Sequence, residues 1–383
     1  MSGLANARIV LADAVIAGSV AIGDDGRIGA VEAGGGNADG RKAGGGALDL
    51  DGDYLIPGIV DLHTDNLERQ VLPRATARWP SRSALVAHDA QCAVAGVTTV
   101  LDALCVGDIG HEQGRVQTFR DALRDLDALA HTGLMKAEHF LHLRCELPAD
   151  DMLDLLEAAL DHEFVRLVSL MDHSPGVGQF ADLGRYKEMR RRDGLTEAEV
   201  EAAVAELQTR RAQFTERNRQ GLLARVRGRG VRLASHDDRS AEDIQASVAD
   251  GIGIAEFPVS MAAAREAHAQ GMTVIAGAPN IVRGGSHTGN VAALDLVAAG
   301  LVDALASDYV PGALIEAAFR IAAAGVLDLP AAIGLISAAP AAMVGFADRG
   351  RIAPGLRADL VRVAMHDGMP IVRQVWRGGA RVV

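Results

Sequence analysis

The sequence predicts an α/β protein: a (β/α)8 TIM-like barrel with a small β-sandwich formed by both chain termini. Three observations carry this. The middle of the chain alternates apolar runs with helical patterns, which is the signature of βαβ units and a parallel sheet. Eight such runs occur, at residues 59–62, 97–103, 139–144, 165–171, 231–235, 252–257, 273–276 and 302–306, the number a closed barrel requires. Both ends of the chain read differently from this middle, as short β-like runs separated by glycine-rich turns.

At the N-terminus the β-like runs are 9–11, 19–22 and 28–31, followed by a glycine-rich stretch over 34–46. At the C-terminus they are 359–363 and 371–376, around a turn at Gly378 and Gly379. The expected division is therefore a composite unit of 1–57 with 345–383, and a barrel over 58–344. Helices are expected between strands, including 83–95 and 261–270. One connection is unusually long. Residues 184–229, rich in Arg, Glu, Gln and Ala at helical spacing, read most simply as a solvated charged hairpin, with a position over the barrel mouth or against another subunit of a homo-oligomer as alternatives.

Composition narrows the function. A chain of 383 residues with 49% hydrophobic content can bury a large core. Its formal charge of −12 argues against nucleic acid or an anionic membrane as partner. The apolar stretch 291–306 is interrupted by Asp295 and Asp303, so no membrane span is expected. The opening residues lack a basic region followed by an apolar core, which points to a cytoplasmic protein. Cys92, Cys105 and Cys145 are widely spaced with no CxxC pair, and read as buried thiols.

The chemistry lies where the ionisable residues fall. His63, Asp65, Glu146, His173, His236 and Asp308 all sit at or just beyond the C-terminal ends of expected strands, the face on which barrel active sites are built. Imidazoles and carboxylates converging from separate strands suit a divalent metal, zinc with manganese or iron as alternatives, as one ion or two. His63 and Asp65 form an H-x-D step, and period-two geometry turns both side chains the same way. His88, Asp89, His139 and His142 fall inside a helix and a strand, where a hydrogen-bonded buried role is the simpler reading.

Cations follow on the same face. Arg69, Arg74 and Arg78 come after the first strand, and Arg283 and His287 lie in the glycine-rich run VRGGSHTGN at 282–290. Small residues there let backbone amides approach an anion, and arginine grips phosphate with two parallel bonds. Arg74, Arg78, Arg283, His287 and Asn66 are the candidate substrate-binding residues.

The segment YLIPGIVDLH at 54–63 resembles the opening of the amidohydrolase superfamily, in which a Pro-Gly strand runs into metal-binding residues. GVTTV at 96–100 resembles the second strand of that family, and GRIAPGLRAD at 350–359 its return into the terminal sandwich. HTDNLERQVLPR, AHDAQ, LHLRCE, MDHSPG, ASHDD, IAEFP, APNIVRGGSHTGN and SDYVP are together similar to a phosphonate-utilisation branch. That resemblance implies metal-dependent hydrolysis of the triphosphate of a ribose bearing a C1 methylphosphonate, with release of pyrophosphate.

It further implies that Asp308 binds metal and acts as the base; His287, from its place in the glycine-rich run at 282–290, is the second catalytic candidate. It implies too that Glu146 bridges the metals and that His236 is the fifth-strand ligand. The sixth-strand histidine of the wider family corresponds to Glu256 here, unless His173 supplies the imidazole from the fourth strand. His173 is the favoured ligand, since imidazole is the commonest metal-binding side chain. The alternative activity is hydrolysis of a C–N bond, as in a deacetylase or cyclic amidase, which needs fewer cations around the substrate.

Overall fold

The computed structural model describes residues 2–34, 46–74, 77–110, 114–286 and 289–383. Among them, eight parallel strands form one sheet in sequential order: β1 (Ile59–Thr64), β2 (Val97–Val106), β3 (Glu138–Glu146), β4 (Val165–Met171), β5 (Arg232–His236), β6 (Ile254–Glu256), β7 (Thr273–Gly277) and β8 (Ala304–Ala306). All eight runs anticipated from the sequence are strands. β6 and β8 are shorter than their apolar runs, because Ile252 and Val302 belong to the turns that lead into them.

Every residue of β1 and β2 is buried, as expected of a parallel sheet covered on both faces. The barrel closes between β8 and β1. Asp308 N–H donates to the His63 carbonyl at 2.9 Å, and Asp65 N–H to the Asp308 carbonyl at 2.6 Å. Just below, the carboxylate of Asp61, fully buried, accepts from the backbone N–H of Ser307 at 3.1 Å and of His63 at 3.3 Å.

The termini share a second sheet, ordered Ala380–Arg381, Met369–Arg377, Leu360–His366, Tyr54–Pro57, Ser2–Val10, Val15–Ile22 and Ile28–Ala33, with Leu48–Asp49 alongside Ser2–Val10. The two ends of the chain are thus hydrogen-bonded into one unit through Tyr54–Pro57. Its junction with the barrel is tight at Gly58, whose N–H donates to the Asp359 carbonyl at 2.7 Å. A Cβ there would lie 2.2 Å from Thr98 Oγ1, which is the physical reason for glycine after Pro57. Val10, Ile56 and Val361 of this sheet share a hydrophobic core with Ile59, Val97 and Leu305 of the barrel. Most of the glycine-rich stretch 34–46 lies outside the described residues.

The long insertion folds as two helices, Leu183–Arg192 and Glu197–Val226. The second begins with a reciprocal capping box between Thr196 and Glu199, worth about 1 kcal/mol. It is more than a solvated hairpin: Val204, Leu207, Leu222 and Val226 join the main core, Asn218 donates to the carbonyls of Leu147 and Ala149, and Arg211 pairs with Asp172 at 2.7 Å. The insertion therefore supports the loop after β4 that carries His173.

Beneath the mouth, a buried polar ladder ties helix Ser81–Val94 to the barrel. Asp102 on β2 accepts from His88 Nε2 at 2.6 Å and from His139 Nδ1 at 2.8 Å. His139 Nε2 reaches Asp89 at 3.2 Å, and His88 Nδ1 accepts from Asn66 at 2.9 Å. Burial lowers the His139 pKa, but the Asp102 and Asp89 carboxylates outweigh it and push it up to about 9. Removing one partner of a buried charged pair leaves the other uncompensated, so Asp102→Asn should cost about 3–5 kcal/mol in urea unfolding. His139 titrates higher folded than unfolded, so its contribution is complete below about 6.5 and is lost as pH rises through about 9. Wild-type stability should fall across that window and the Asp102→Asn variant should fall less steeply; equal stability of the two proteins near neutrality would remove the ladder from the account.

Candidate metal centre

The strand ends bring together His63 (β1), Asp65 (after β1), Glu146 (β3), His173 (after β4), His236 (β5), Glu256 (β6) and Asp308 (after β8). Three of the strand-end residues, Asp237, Phe257 and Asp308, adopt left-handed φ values of +56°, +55° and +56°. That conformation is costly for non-glycine residues. Each uses it to turn its N–H onto the next strand: Asp237 to the Glu256 carbonyl at 3.0 Å, Phe257 to Ile275 at 2.9 Å and Asp308 to His63 at 2.9 Å. The turn holds each side chain at the strand end in a fixed direction.

Glu256 is the hub. Its Oε1 accepts from His63 Nδ1 at 2.9 Å and its Oε2 from His236 Nδ1 at 2.8 Å, with His142 Nδ1 3.8 Å away. Both carboxylate oxygens are thereby engaged, which leaves the Nε2 atoms as the outward ends of both rings. His63 Nε2 lies 3.4 Å from Asp65, and His236 Nε2 lies 3.6 Å from Asp237. Phe257 packs against both imidazoles, at centroid distances of 5.0 and 5.6 Å. His142, one strand over, bonds the Leu62 carbonyl and Ser169 Oγ and serves as a buried support.

Among the described residues four groups of donor atoms each fit within 4.8 Å: His63 with Asp65 and Asp308, His173 with His236 and Asp237, His63 with His142 and Glu256, and His88 with Asp102 and His139. The last two are tied up in their own hydrogen bonds, and the first two are the candidate centre. Glu146 links toward the second group through a short hydrogen bond to His173 Nδ1. The buried Glu146 Oε2 and Asp237 Oδ2 accept no hydrogen bond. Buried carboxylate oxygens without donors are costly, and a cation is the partner they fit.

The electrostatics agree. Burial opposes a charge on His63, yet Glu256 and Asp65 push its pKa up to about 10; the site is short of positive charge. Burial pushes the Glu256 carboxyl up, but His63, His142 and His236 hold it well below the ordinary range. Burial likewise opposes ionisation of Glu146, and His173 brings it down to about 2. Asp308 goes the other way: burial and the Asp65 charge raise it to about 6.

Above these groups lies a cavity of about 430 Å³ lined by His63, Asp65, Arg144, His236, Asp237, Asn280, Arg283, Asp308 and Tyr309. Arg283 enters it, with Nη1 3.5 Å from the Tyr309 hydroxyl. Arg74, Arg78 and Asn66 do not line it. Arg78 is held by Asp121 at 3.0 Å and Thr118 at 3.1 Å on the neighbouring helix, Arg74 is exposed in a turn paired with Ala77, and the Asn66 amide is spent on His88 and Gln91 in the buried ladder. Arg69 reaches the Tyr309 carbonyl at 2.9 Å. His287 lies outside the described residues.

Sequence reasoning did not single out Arg144, which ion-pairs with Asp65 across the cavity floor, nor Asp61, nor the placement of Asp237 between two imidazoles. Strand alternation could have found Arg144, two residues before Glu146 and on the same side of β3.

No family model matches the chain. It is 41% identical over 380 residues to the alpha-D-ribose 1-methylphosphonate 5-triphosphate diphosphatase of Escherichia coli (strain K12), covering 98% of this chain and 99% of that one. Among solved structures, dihydropyrimidinase from Brevibacillus agri NCHU1002 superposes with a TM-score of 0.64 at 13% identity, over 100% of this chain and 95% of that one. N-acetylglucosamine-6-phosphate deacetylase from Pasteurella multocida superposes with a TM-score of 0.61 at 13% identity, over 99% of each chain. These two likenesses show that the chain shares their fold. At this level of identity along almost its whole length, the chain belongs to the family of alpha-D-ribose 1-methylphosphonate 5-triphosphate diphosphatases.

Proposed function

We propose that this protein hydrolyses the 5-triphosphate of alpha-D-ribose 1-methylphosphonate and releases pyrophosphate, as the name of its E. coli relative states for that enzyme. The observation that carries the reading is the pairing of an acid-rich, cation-deficient cluster with an arginine on the far wall of one cavity. His63, Asp65 and Asp308 would hold one divalent ion; His173, His236 and Asp237, with Glu146 between, would hold a second. Zinc suits this mixture of imidazole and carboxylate, with manganese or iron as alternatives. When bound, such an ion supplies Lewis-acid activation of water and neutralises charge developing on the phosphoryl oxygens.

The protein's own residues do the rest. Asp308, raised to about 6, is largely ionised at neutral pH yet basic enough to take the proton of the attacking water, which is the matching of pKa to task that general-base catalysis needs. Glu256 orients His63 and His236 through their Nδ1 atoms. Arg283, near the Tyr309 hydroxyl, is placed to grip phosphoryl oxygens and to stabilise charge as the bridging oxygen departs. Arg144 is committed to Asp65 and holds that carboxylate in place. Three free, buried thiols, Cys92, Cys105 and Cys145, fit a reducing cytosolic setting, and no helix among the described residues is long and apolar enough to cross a membrane.

The direct test is to give metal-reconstituted enzyme the phosphonate-bearing ribose 5-triphosphate in ¹⁸O-water and follow the products by phosphorus NMR. The expected result is pyrophosphate, with the label identifying the phosphorus attacked, and a rate loss on the order of 10²–10⁴ in Asp308→Asn. An intact triphosphate alongside cleavage of N-acyl or cyclic-amide substrates would transfer the site to C–N hydrolysis. Glu256→Gln keeps the shape but weakens its hold on two imidazoles. Its affinity for zinc, measured by competition with a chromogenic chelator, should fall about 10–100-fold; unchanged affinity would deny Glu256 its orienting role.

A further inference from the structure

The active cavity does not end at Arg283. Gln179, Val259, Asn290 and Val291 are a wall shared with an adjoining cavity of about 570 Å³. Two arginines from separate elements line that second cavity: Arg185, on helix Leu183–Arg192 of the insertion, and Arg239, in the turn between β5 and helix Ala241–Ala249.

The backbone of Arg239 is pinned. Its N–H donates to Asp243 Oδ2 at 2.9 Å, and Ser260 Oγ donates to its carbonyl at 2.6 Å. Arg239 is exposed, and no carboxylate among the described residues forms an ion pair with it. Arg185 is anchored differently. Its guanidinium lies against Gly289, where a Cβ would come within 2.2 Å of Nη1, and Gly289 has a left-handed φ of +79°. Asp182 lies 3.6 Å from its Nε, and both side chains are mostly exposed. A chain of net charge −12 thus directs two arginines into an annex of a cavity whose floor is crowded with carboxylates.

We propose that Arg239, together with Arg185, forms a second anion subsite that holds a phosphoryl or phosphonyl group of the substrate remote from the bond being cleaved. This rests on the phosphoanhydride reading above. A ribose carrying a 5-triphosphate and a C1 phosphonate is anionic at both ends. With the scissile bridge at the acid–imidazole cluster and Arg283 beside it, a terminal group extends along the cavity to cations further out. A fixed backbone and a forked donor set suit Arg239 to bidentate contact with such a group. Uniform binding of this kind acts on KM rather than on kcat, because the contact is the same in the ground and transition states.

The test uses metal-loaded full-length protein, as wild type, Arg239→Gln and Arg185→Gln, with two substrates: the ribose 5-triphosphate bearing the phosphonate and the one lacking it. In parallel, inorganic pyrophosphate and methylphosphonate are titrated into each protein by calorimetry. Both arginines are exposed, and unchanged thermal unfolding checks that the variants fold. The expected result for Arg239→Gln is a KM raised at least about tenfold with kcat nearly unchanged, and weaker binding of one of the two probes. A rise confined to the phosphonate-bearing substrate assigns the subsite to the phosphonyl end, and an equal rise for both assigns it to the polyphosphate end. Unchanged KM and unchanged probe affinity in both variants would overturn the proposal. Should wild type turn over neither substrate, the phosphoanhydride reading fails on its own, and the calorimetry still decides: a loss of probe affinity in the variants keeps the subsite, and no loss removes it.

Discussion

The site depends on how the barrel closes. β8 meets β1 through two backbone hydrogen bonds, Asp308 N–H to the His63 carbonyl and Asp65 N–H to the Asp308 carbonyl. The same two bonds that join the first and last strands therefore set His63, Asp65 and Asp308 side by side. Asp61 braces the seam from below, its buried carboxyl raised to about 6 by burial even as Ser307 and His63 donate to it. Left-handed backbone at Asp308, and again at Asp237 and Phe257, is a local cost retained because each turn both completes a strand pairing and aims a side chain, the pattern expected where strain is kept for function.

From that seam the electrostatics follow. Five carboxylates, Asp65, Glu146, Asp237, Glu256 and Asp308, converge on four imidazoles. Two of the carboxylates spend their oxygens on fixing neighbours: Glu256 on His63 and His236, Asp65 on Arg144. Others are left with bare buried oxygens, at Glu146 and Asp237. Bare buried oxygens of this kind suit a cation, and the proposed centre is one completed by binding rather than a hydrogen-bonded end in itself. The contrast with the Asp89–His139–Asp102–His88 ladder is instructive. There every carboxylate is met by nitrogen donors, and its role is to hold a helix on the barrel.

Much of this was legible in the sequence, and the reason is periodicity. A strand buried on both faces reads as a largely apolar run, so β2 and β4 announce themselves, and a polar residue at the end of such a run stands out; His63, Asp65, Glu146, His173, His236 and Asp308 were all visible in this way, and the structure brings them to one mouth. What the sequence could not convey is direction after a strand ends. Asn66 and Arg78 follow His63 closely, yet the short helix at 66–71 and the turn after it carry one into the ladder and the other to Asp121. Glu256 and His173 looked like rivals for one ligand position, and only three-dimensional pairing separates an oxygen that bonds Nδ1 from a ring that faces Glu146. Arg144 was hidden inside β3 among apolar residues and histidines between the glutamates at its two ends, since burial of an arginine is intelligible only once its partner Asp65 is known.

The account stands most directly on where a divalent ion sits. Anomalous diffraction from crystals of active, zinc-loaded protein locates it without reference to any substrate. The prediction is a peak within about 2.0–2.2 Å of donor atoms from His63, Asp65 and Asp308, or from His173, His236 and Asp237, with occupancy that tracks hydrolytic activity. Crystals of fully active enzyme with no anomalous peak at either group would contradict it.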